Sequence, residues 1–546
     1  MSSRLARMTA ALAGMLPAGV QEAAVRAMGG IRTSVKYLRP MSYEGGQITR
    51  IDPDFVPMRV GPNLLADQSL DMVQRRSRWL SDNHPLISGA VETFVANVVS
   101  SEIYPRPATP FEEVNKRIDE LFWDWAEAVD AERSTSLLEH QQLVARELFS
   151  KGEILVHSPF AEAWEEYAAD VALETIDTDL LCDPAGASAL GVSSYVQLAN
   201  GNRVRQGVEF DSVGRRVAYH VLDGHPNDGE FVMPRPERMR RLPAAVANLA
   251  MIRRRSKQIR GVPRLVALIR LVRQESGFSE AFLELARVAA CYGIWIEGVG
   301  SANMMANGTA GAPTDMHGRP IQEAEPGLIG RLPPGAKVST TNAAIPPPTF
   351  DSTLKSLKRD MSAAVGQSYG EFSGDYGEAT FSSERARQLL TRRIVRPVQA
   401  CVWRQGTLSA YKRCIAFWIA SGRLKLSAEA RAAWMTDPRQ LYRHDVIAPG
   451  FEWVNPQQEA QAAEIELRIG AASLEDIVAS KGRNWQDTLE RQLQIEVWYA
   501  KRRAELGLAP RPLMAEKAGG GGGKTEPAKG GDQSDESDQR DEEEDA

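Results

Sequence analysis

The sequence predicts an α+β protein in which long amphipathic helices accompany a smaller β-containing body. Apolar residues recur at helical spacing along much of the chain from residue 71 onward, whereas alternation typical of strands is concentrated between residues 152 and 221. Hydrophobic residues make up 43% of the 546 residues, which is enough to bury real cores in about three domains' worth of chain.

Residues 1–70 are predicted to form an N-terminal arm, with a short helix followed by a stretch rich in proline and glycine that has no sustained period. The first residues weakly resemble a signal peptide. Gly14, Pro17 and Gly19 interrupt the apolar part and no clear cleavage site follows, so an amphipathic arm is favoured.

Residues 71–261 are predicted to form the α+β body. Its helices are expected to begin at Asp71, with a break at Asn83–Leu86 before the next one. Later helices are predicted at 87–99, 111–129 and 137–149. Strands are predicted at 153–157, 172–176, 204–210 and 216–221, with a turn at 211–214 between the last two.

The order of elements from residue 262 to 421 is the most distinctive feature of the chain. A long helix is predicted at 262–292, an irregular or β-containing insertion at 293–350, a second helix at 351–369, a loop at 370–382 and a third long helix at 383–421. Gly366 is expected to end the second helix, and the glycines of the loop permit positive φ and favour mobility. Ser382 or Ser383 is expected to cap the third helix, which Pro397 should kink or stop.

Two segments are strongly basic. In the second helix Lys355, Lys358 and Arg359 lie off the apolar face, and Arg385 and Arg392 do so in the third. Residues 235–273 carry twelve basic residues, including Arg253, Arg254 and Arg255, against one acid. This density fits phosphate contact and pairing with an acidic neighbour equally well.

Residues 422–510 are predicted to add C-terminal helices, and 511–546 a disordered acidic tail. Residues 519–546 hold ten acidic and three basic residues, a net charge of −7. Because the whole chain has a net charge of −6, the remainder is close to neutral at about +1.

Two motifs that suggest catalysis stand in the wrong context. Residues 366–370 match G-x-S-x-G, but a helix precedes them where a nucleophile elbow needs a strand, so a helix C-cap is favoured. Residues 518–525 match a loosened phosphate loop, but they lie in low-complexity sequence. The four cysteines and seven histidines form no metal-binding pattern, so no metal and no cofactor are expected. No apolar run is long enough for a membrane span.

A set of short motifs, in order along residues 71–508, resembles the portal proteins of tailed bacteriophages in the lambda-like family. The carrying residues are Arg78, Asn83, Gly89-Ala90-Val91, Asn97-Val98-Val99, Trp125, Gly152-Glu153, Gly207-Val208-Glu209, Asp211, Gly214-Arg215, Ala218-Tyr219-His220, Arg260-Gly261-Val262-Pro263, Leu332-Pro333-Pro334-Gly335, Ser368-Tyr369, Gly374-Asp375-Tyr376, Ser382-Ser383, Arg385, Trp453, Pro456, Gly470, Ser473 and Leu506-Gly507-Leu508. The sequence departs from the family at Thr380 and Phe381, where Asn and Tyr are usual, and at residues 253–255, which are basic where the family has a His-containing strand.

The resemblance implies the portal fold, with wing, stem, clip and crown regions. Residues 71–261 would form the wing, 262–292 and 351–369 the stem helices, 293–350 the clip, 383–421 a long wing or crown helix and 422–510 further wing or crown helices. Residues 370–382 would be the tunnel loop that lines a channel. Its site residues would be Glu371, Phe372, Asp375, Tyr376, Glu378, Thr380 and Phe381.

The resemblance also implies a ring homo-oligomer, expected to be a dodecamer, at one capsid vertex for DNA packaging and ejection. Its expected partners are double-stranded DNA without sequence preference, the terminase large subunit, the major capsid protein or scaffold, and head-tail adaptors. The protein would be located in the virion after assembly in the host cytoplasm. It would contact no membrane and have no enzymatic activity. The basic residues expected to face DNA or a neighbouring subunit are Lys355, Lys358, Arg359, Arg385, Arg392, Arg253, Arg254 and Arg255.

Two other classes remain open on the residues alone. A DNA-handling enzyme would explain the basic segments, but it needs a phosphate loop in a strand–helix context and an acidic metal site. A structural scaffold protein that forms no ring would explain the missing active site, and its mass in solution would distinguish it.

Overall fold

The computed structural model describes residues 59–163, 169–184, 195–225, 239–290, 296–297, 331–332, 350–377, 380–450 and 456–509. The chain divides into two compact units, Met1–Leu65 and Ala66–Ala546. The predicted arm up to residue 58, nearly all of the 293–350 insertion and the acidic tail lie outside the described residues.

Helices make up most of the described chain. In chain order they are α1 (Pro62–Asn83), α2 (Pro85–Val98), α3 (Glu112–Ala126), α4 (Leu137–Ser150), α5 (Ile269–Ala290), α6 (Phe350–Val365), α7 (Tyr369–Ser373), α8 (Phe381–Cys401), α9 (Leu408–Ala420), α10 (Ala428–Thr436), α11 (Pro456–Arg468), α12 (Leu474–Ser480) and α13 (Trp485–Glu505). A π-helical segment, Val402–Thr407, joins α8 to α9, and a 3₁₀ turn, Arg264–Ala267, precedes α5.

The strands are short. They are β1 (Tyr104–Pro107), β2 (Glu153–His157), β3 (Phe160–Ala161), β4 (Asp170–Val171), β5 (Glu174–Ile176), β6 (Val196–Gln197), β7 (Arg203–Arg205), β8 (Val208–Phe210), β9 (Arg216–Leu222), β10 (Met239–Pro243), β11 (Ala247–Met251), β12 (Ile296–Glu297), β13 (Arg331–Leu332) and β14 (His444–Ile447).

The strands pair mainly in antiparallel sheets. One sheet has the order β10-β9-β8-β7-β6, and a second has the order β11-β2-β5. β1 pairs with β14, which ties the N-terminal helices to the chain after α10. β3 pairs with β4, and the parallel pair β12 and β13 is the part of the 293–350 insertion that the structure describes before α6.

The main core lies among α2, α3, α4 and the α8–π–α9 rod. Trp403 and Trp418 are its largest fully buried side chains, at 1% and 0% exposure. The indole of Trp418 donates to Asp170 Oδ2 at 2.9 Å, so this ring keeps its polar atom paired while its apolar surface is buried. A smaller core lies between the two larger sheets.

Several predicted boundaries are wrong. Helix α1 begins at Pro62 and not at Asp71. The first turns were missed because Leu64 and Leu65 are exposed and add no apolar periodicity. Proline suits the first position of a helix. Helix α5 begins at Ile269 and not at residue 262, after the 3₁₀ turn. The strand predicted at 204–210 is a hairpin, β7 and β8.

The turn of that hairpin has positive φ at both central residues. Gln206 has φ 55° and Gly207 has φ 78°. Two consecutive residues of this kind form the tight turn that suits the twist of a two-stranded ribbon. Glutamine is rare in the left-handed region, so nothing in the sequence indicated a turn at Gln206 and one continuous strand was predicted.

Two glycines let the chain cross itself at the start of β2. Gly152 has φ +88°, and a Cβ placed on it would lie 2.2 Å from the carbonyl carbon of Val262. A Cβ on Gly261 would lie 2.2 Å from the carbonyl oxygen of Gly152. Contacts this short exclude any side chain, so both positions require glycine.

A buried carboxylate organises the middle of the five-stranded sheet. Glu209 is fully buried and accepts hydrogen bonds from Arg241 Nε at 2.7 Å and Arg241 Nη2 at 3.0 Å. Asn202 donates to it at 2.6 Å, and His220 Nε2 lies 3.0 Å away. The hydrogen bonds from Arg241 lead the effects that lower the pKa of Glu209 to about 2.

We expect Glu209→Gln to lower the free energy of unfolding by about 2 kcal/mol at neutral pH, a figure reduced because solvent screens the half-exposed Arg241. The folded-state pKa lies below the ordinary value of 4.5, so this stability is fully present above that value. It is lost as the pH falls through 4.5 towards 2.

Chemical unfolding of wild type and variant across this pH range measures the difference. Glu132→Gln, which removes an exposed carboxylate in a loop, is the matched control and should change stability little at any pH. A difference between wild type and Glu209→Gln that stays constant from neutral pH to pH 2 would refute the prediction.

Candidate channel segment

The candidate site is the segment from α6 to α8, which the sequence singled out as two basic helices around a loop. Helix α6 ends before Gly366, the residue expected to stop it, and so the predicted bound at residue 369 is wrong. Gly366 has φ +75°, and its N–H donates to the carbonyl of Ser362 at 2.9 Å. Gln367 then anchors the turn, because its side chain donates to the carbonyl of Ala90 in α2 at 2.8 Å.

Ser368 of the G-x-S-x-G motif is a helix cap. Its Oγ accepts from the backbone N–H of Glu371 at 3.1 Å, and the residue is only 5% exposed. The side chain of Glu371 in turn accepts from the N–H of Ser368 at 3.0 Å. This reciprocal pair is a capping box, which opens α7 and does not fit the geometry of a nucleophile elbow.

The prediction of a loop throughout 370–382 is therefore wrong in its first part, since α7 extends to Ser373. One helical turn is too short to show apolar periodicity. The S-x-x-E spacing of Ser368 and Glu371 was the signal that could have found it. Gly374, at φ 70°, ends the turn in the left-handed conformation.

The predicted tunnel-loop residues have different environments. Phe372 is 3% exposed and belongs to the main core, which does not fit a side chain that lines a channel. Glu371 also accepts from Thr391 Oγ1 at 3.1 Å and so ties α7 to α8. Tyr376 is 53% exposed.

The remaining loop residues are only partly described. Glu378 lies outside the described residues, and Phe381 is described only as the first residue of α8. The cap of α8 is Thr380, whose Oγ1 accepts from the N–H of Ser383 at 3.4 Å. The prediction of Ser382 or Ser383 as the cap is wrong, and Ser383 instead completes a capping box at the third helical position.

Pro397 lies inside α8 and does not stop the helix. The helix continues to Cys401, where the π-helical segment takes over. Proline inside a helix costs about 3 kcal/mol. Val395, Val398 and Trp403 are each about 1% exposed, so packing on both sides of Pro397 outweighs this local cost.

Acidic and basic groups alternate where α6 meets α7. Lys355 Nζ lies 3.1 Å from Asp351, and the guanidinium of Arg359 lies 5.4 Å from the ring centroid of Tyr369. Asp375 accepts from the N–H of Gly377 at 3.0 Å and from the Tyr369 hydroxyl at 3.2 Å. These hydrogen bonds, with the nearby charges of Lys355 and Lys358, lower the pKa of Asp375, so the carboxylate is ionised at neutral pH.

The basic face of α8 contacts the C-terminal helices. Arg385 lies 3.6 Å from Glu459 of α11. Burial lowers the pKa of Arg392, and the positive charges of Arg385 and Arg396 lower it further. The negative charge of Glu459 raises the same pKa but does not offset these effects. At least part of this face is therefore used inside the chain.

Three arginines of the basic segment 235–273 pair with acids of the same chain. Arg240 lies 3.4 Å from Glu174, Arg241 binds Glu209, and Arg260 Nη2 lies 2.6 Å from Glu153. The acidic-neighbour interpretation is thus the right one for these three arginines. Arg235 and Arg238 lie outside the described residues.

Arg253, Arg254 and Arg255 lie exposed on the loop after β11. Arg254 donates to the carbonyl of Pro263 at 3.1 Å. Its charge also influences Arg264, which donates to the carbonyl of Val365 at 2.6 Å. The structure therefore brings Arg254 close to the end of α6.

The described residues contain no group of three or more His, Cys, Asp or Glu side chains placed to hold a metal ion. Within the same residues, no helix combines the length and apolar character needed to span a bilayer. Cys401 and Cys414 are buried free thiols, and Cys291 lies outside the described part.

A family model described as "Phage portal protein, lambda family" matches residues 49–399. This match covers well over half of the chain and places it among the phage portal proteins. Within that class, the chain belongs to the lambda family, which confirms the resemblance seen in its motifs.

A curated relative is the probable portal protein of Halomonas phage phiHAP-1, which is 26% identical over 326 residues. The aligned part is 58% of this chain and 58% of the relative, so the chain spans somewhat over half of the relative's length.

Solved structures of gene transfer agent (GTA) particles are also similar. The neck of a native particle computed with C12 symmetry is 12% identical with a TM-score of 0.37, and covers 82% of this chain and 100% of that chain. The neck of an empty particle computed with C6 symmetry is 12% identical with a TM-score of 0.36, and covers 84% and 96%.

Proposed function

We propose that this chain assembles into a ring, a dodecamer in its simplest form, at one vertex of a phage capsid. Double-stranded DNA would pass through the ring during packaging and ejection. The observation that carries the proposal is membership of the lambda portal family over residues 49–399. That family is structural, so the chain would act as a channel and docking platform and not as an enzyme.

The C-terminal helices support assembly with copies of the same chain. None of the described residues from 457 to 509 is buried, although α11, α12 and α13 carry many large apolar side chains. The more exposed ones include Ile465 (53%), Leu493 (62%), Val497 (69%) and Trp498 (64%), and Ile469 (69%) follows directly after α11. Apolar surface of this extent marks an interaction site, and a neighbouring copy in a ring would cover it.

The α6–α8 segment supports a channel that does not hold DNA tightly. DNA of any sequence must pass, so only contacts to the phosphate backbone are useful. Affinity rises steeply with the number of phosphates neutralised, so an unbroken basic wall would trap the DNA. Asp375 beside Lys355 and Lys358 breaks such a wall, and the exposed Tyr376 adds a neutral contact.

In this proposal 262–292 and 351–369 serve as stem, 293–350 as clip, 370–382 as tunnel loop, and the flanking regions as wing and crown. The clip would bind the terminase large subunit during packaging and head-tail adaptors afterwards. The wing would contact the major capsid protein or scaffold. Assembly would occur in the host cytoplasm and the finished ring would remain in the virion.

The mass and electron-microscope image of the purified full-length chain test the proposal. We expect a closed ring with a central hole, whose mass is a whole multiple of the 60.0 kDa chain. The measurement is repeated after incubation with empty capsid shells or scaffold, because assembly of a portal ring can depend on them. A chain that stays monomeric under both conditions would refute the ring.

A further inference from the structure

A cavity of about 290 Å³ lies where the helical body meets the end of α6. We call it the junction cavity. Phe94 and Leu148 supply apolar walls from α2 and α4, and Ile252 and Val262 supply further apolar surface. Two arginines, Arg254 and Arg264, also line it.

Among the described residues, each arginine has one hydrogen bond from its guanidinium to a carbonyl. Arg264 Nε donates to Val365 at 2.6 Å, while its guanidinium lies 5.3 Å from the ring centroid of Phe94. Arg254 Nη2 donates to Pro263 at 3.1 Å. A guanidinium carries five N–H donors, so both side chains are positioned and still have donors to offer.

Within the described part of the chain, no carboxylate lies within 4.0 Å of either guanidinium. The contrast with their neighbours is clear, because Arg260 and Arg241 both bind buried glutamates. Burial lowers the pKa of Arg254 and is the larger cause for Arg264, whose pKa the charge of Arg254 lowers further. Arginine nonetheless stays protonated, so the cavity holds two partly desolvated like charges.

We propose that the junction cavity binds a small oxyanion, a phosphate or carboxylate group, between Arg254 and Arg264. Guanidinium groups bind such anions through paired N–H donors, and one anion would compensate both charges. The apolar walls leave room for a short organic part, which suits an organic phosphate or carboxylate as well as inorganic phosphate. The inference does not depend on the ring.

Binding would link three separate parts of the chain. Arg254 belongs to the loop after β11, and Arg264 to the 3₁₀ turn before α5 and, through Val365, to the end of α6. An anion shared by both arginines would hold this junction together, so the bound chain should be more resistant to unfolding.

Thermal unfolding of the full-length chain with inorganic phosphate, against sodium chloride at equal ionic strength, tests this proposal. We expect phosphate to raise the unfolding temperature of wild type by a few degrees. In Arg254→Gln the phosphate concentration needed for the same shift should rise by at least about tenfold. Arg253→Gln is the matched control, since it removes the same charge from the neighbouring residue outside the cavity, and it should respond as wild type does.

Arg264→Gln is a second variant, but its lost bond to Val365 lowers stability by itself, so Arg254→Gln decides the outcome. Equal phosphate responses in wild type, Arg254→Gln and Arg253→Gln would overturn the proposal. So would the absence of any response in wild type. If that absence were joined by loss of assembly in Arg254→Gln alone, the arginines would instead bind a carboxylate of a second copy.

Discussion

Replacing Glu153 with alanine is expected to lower the free energy of unfolding by about 3–5 kcal/mol, the loss typical when one partner of a buried ion pair is removed. The side chain of Glu153 is fully buried and that of Arg260 is 10% exposed, with 2.6 Å between them. Glu153 also accepts from the N–H of Gly261 at 2.6 Å and from Gln74 at 3.1 Å. The substitution therefore leaves the buried Arg260 cation without its carboxylate and the Gly261 N–H without its acceptor.

Denaturant unfolding followed by tryptophan fluorescence measures this loss. Glu120→Ala is the control, because it removes one partner of an exposed ion pair with Arg117 and should cost less than about 1 kcal/mol. Glu153→Gln should fall between the two, since an amide oxygen still accepts from Gly261. Equal effects of Glu153→Ala and Glu120→Ala would show that the pair contributes no more than a surface contact.

Val497→Asp is expected to abolish ring assembly while leaving the fold of the single chain intact. Val497 is 69% exposed in α13, so aspartate there stays solvated in the free chain. In an interface between copies the same carboxylate would be buried without a partner, at a cost of several kcal/mol for each contact. A ring repeats that cost at every subunit.

Analytical ultracentrifugation of wild type and variant, at equal concentration and under the conditions in which wild type assembles, measures the outcome. Gln492→Asp is the matched control, because it adds the same charge to α13 about 140° around the helix from Val497. Circular dichroism checks that both variants remain folded. Rings of normal size from Val497→Asp would exclude this face of α13 as the interface, and would leave the ring itself to the mass measurement.

The contact between Gly152-Glu153 and Arg260-Gly261 was not predicted from the sequence motifs. The sequence identified Gly152-Glu153 and Arg260-Gly261 as separate pieces of a family resemblance. The structure shows that they meet, with Arg260 paired to Glu153 and the two glycine backbones in close contact. The pair is separated by 107 positions along the chain, so no local pattern connects its members.

The sequence by itself determined the α+β class, most of the long helices and the family. These follow from apolar periodicity and from turn residues, which act over a few neighbouring positions. It also determined the C-cap at Gly366 and the absence of a nucleophile elbow at Ser368, because both depend on adjacent residues.

Only the tertiary structure decided which local preferences prevail. Pro397 should break a helix, yet buried Val395, Val398 and Trp403 hold α8 together across it. Phe372 was predicted in a loop and is buried in the core. For Arg240, Arg241 and Arg260 the sequence left phosphate contact and acidic pairing equally open, and the structure pairs all three with distant acids. Burial and ion pairing join residues far apart in sequence, and together they outweigh a local propensity of a few kcal/mol.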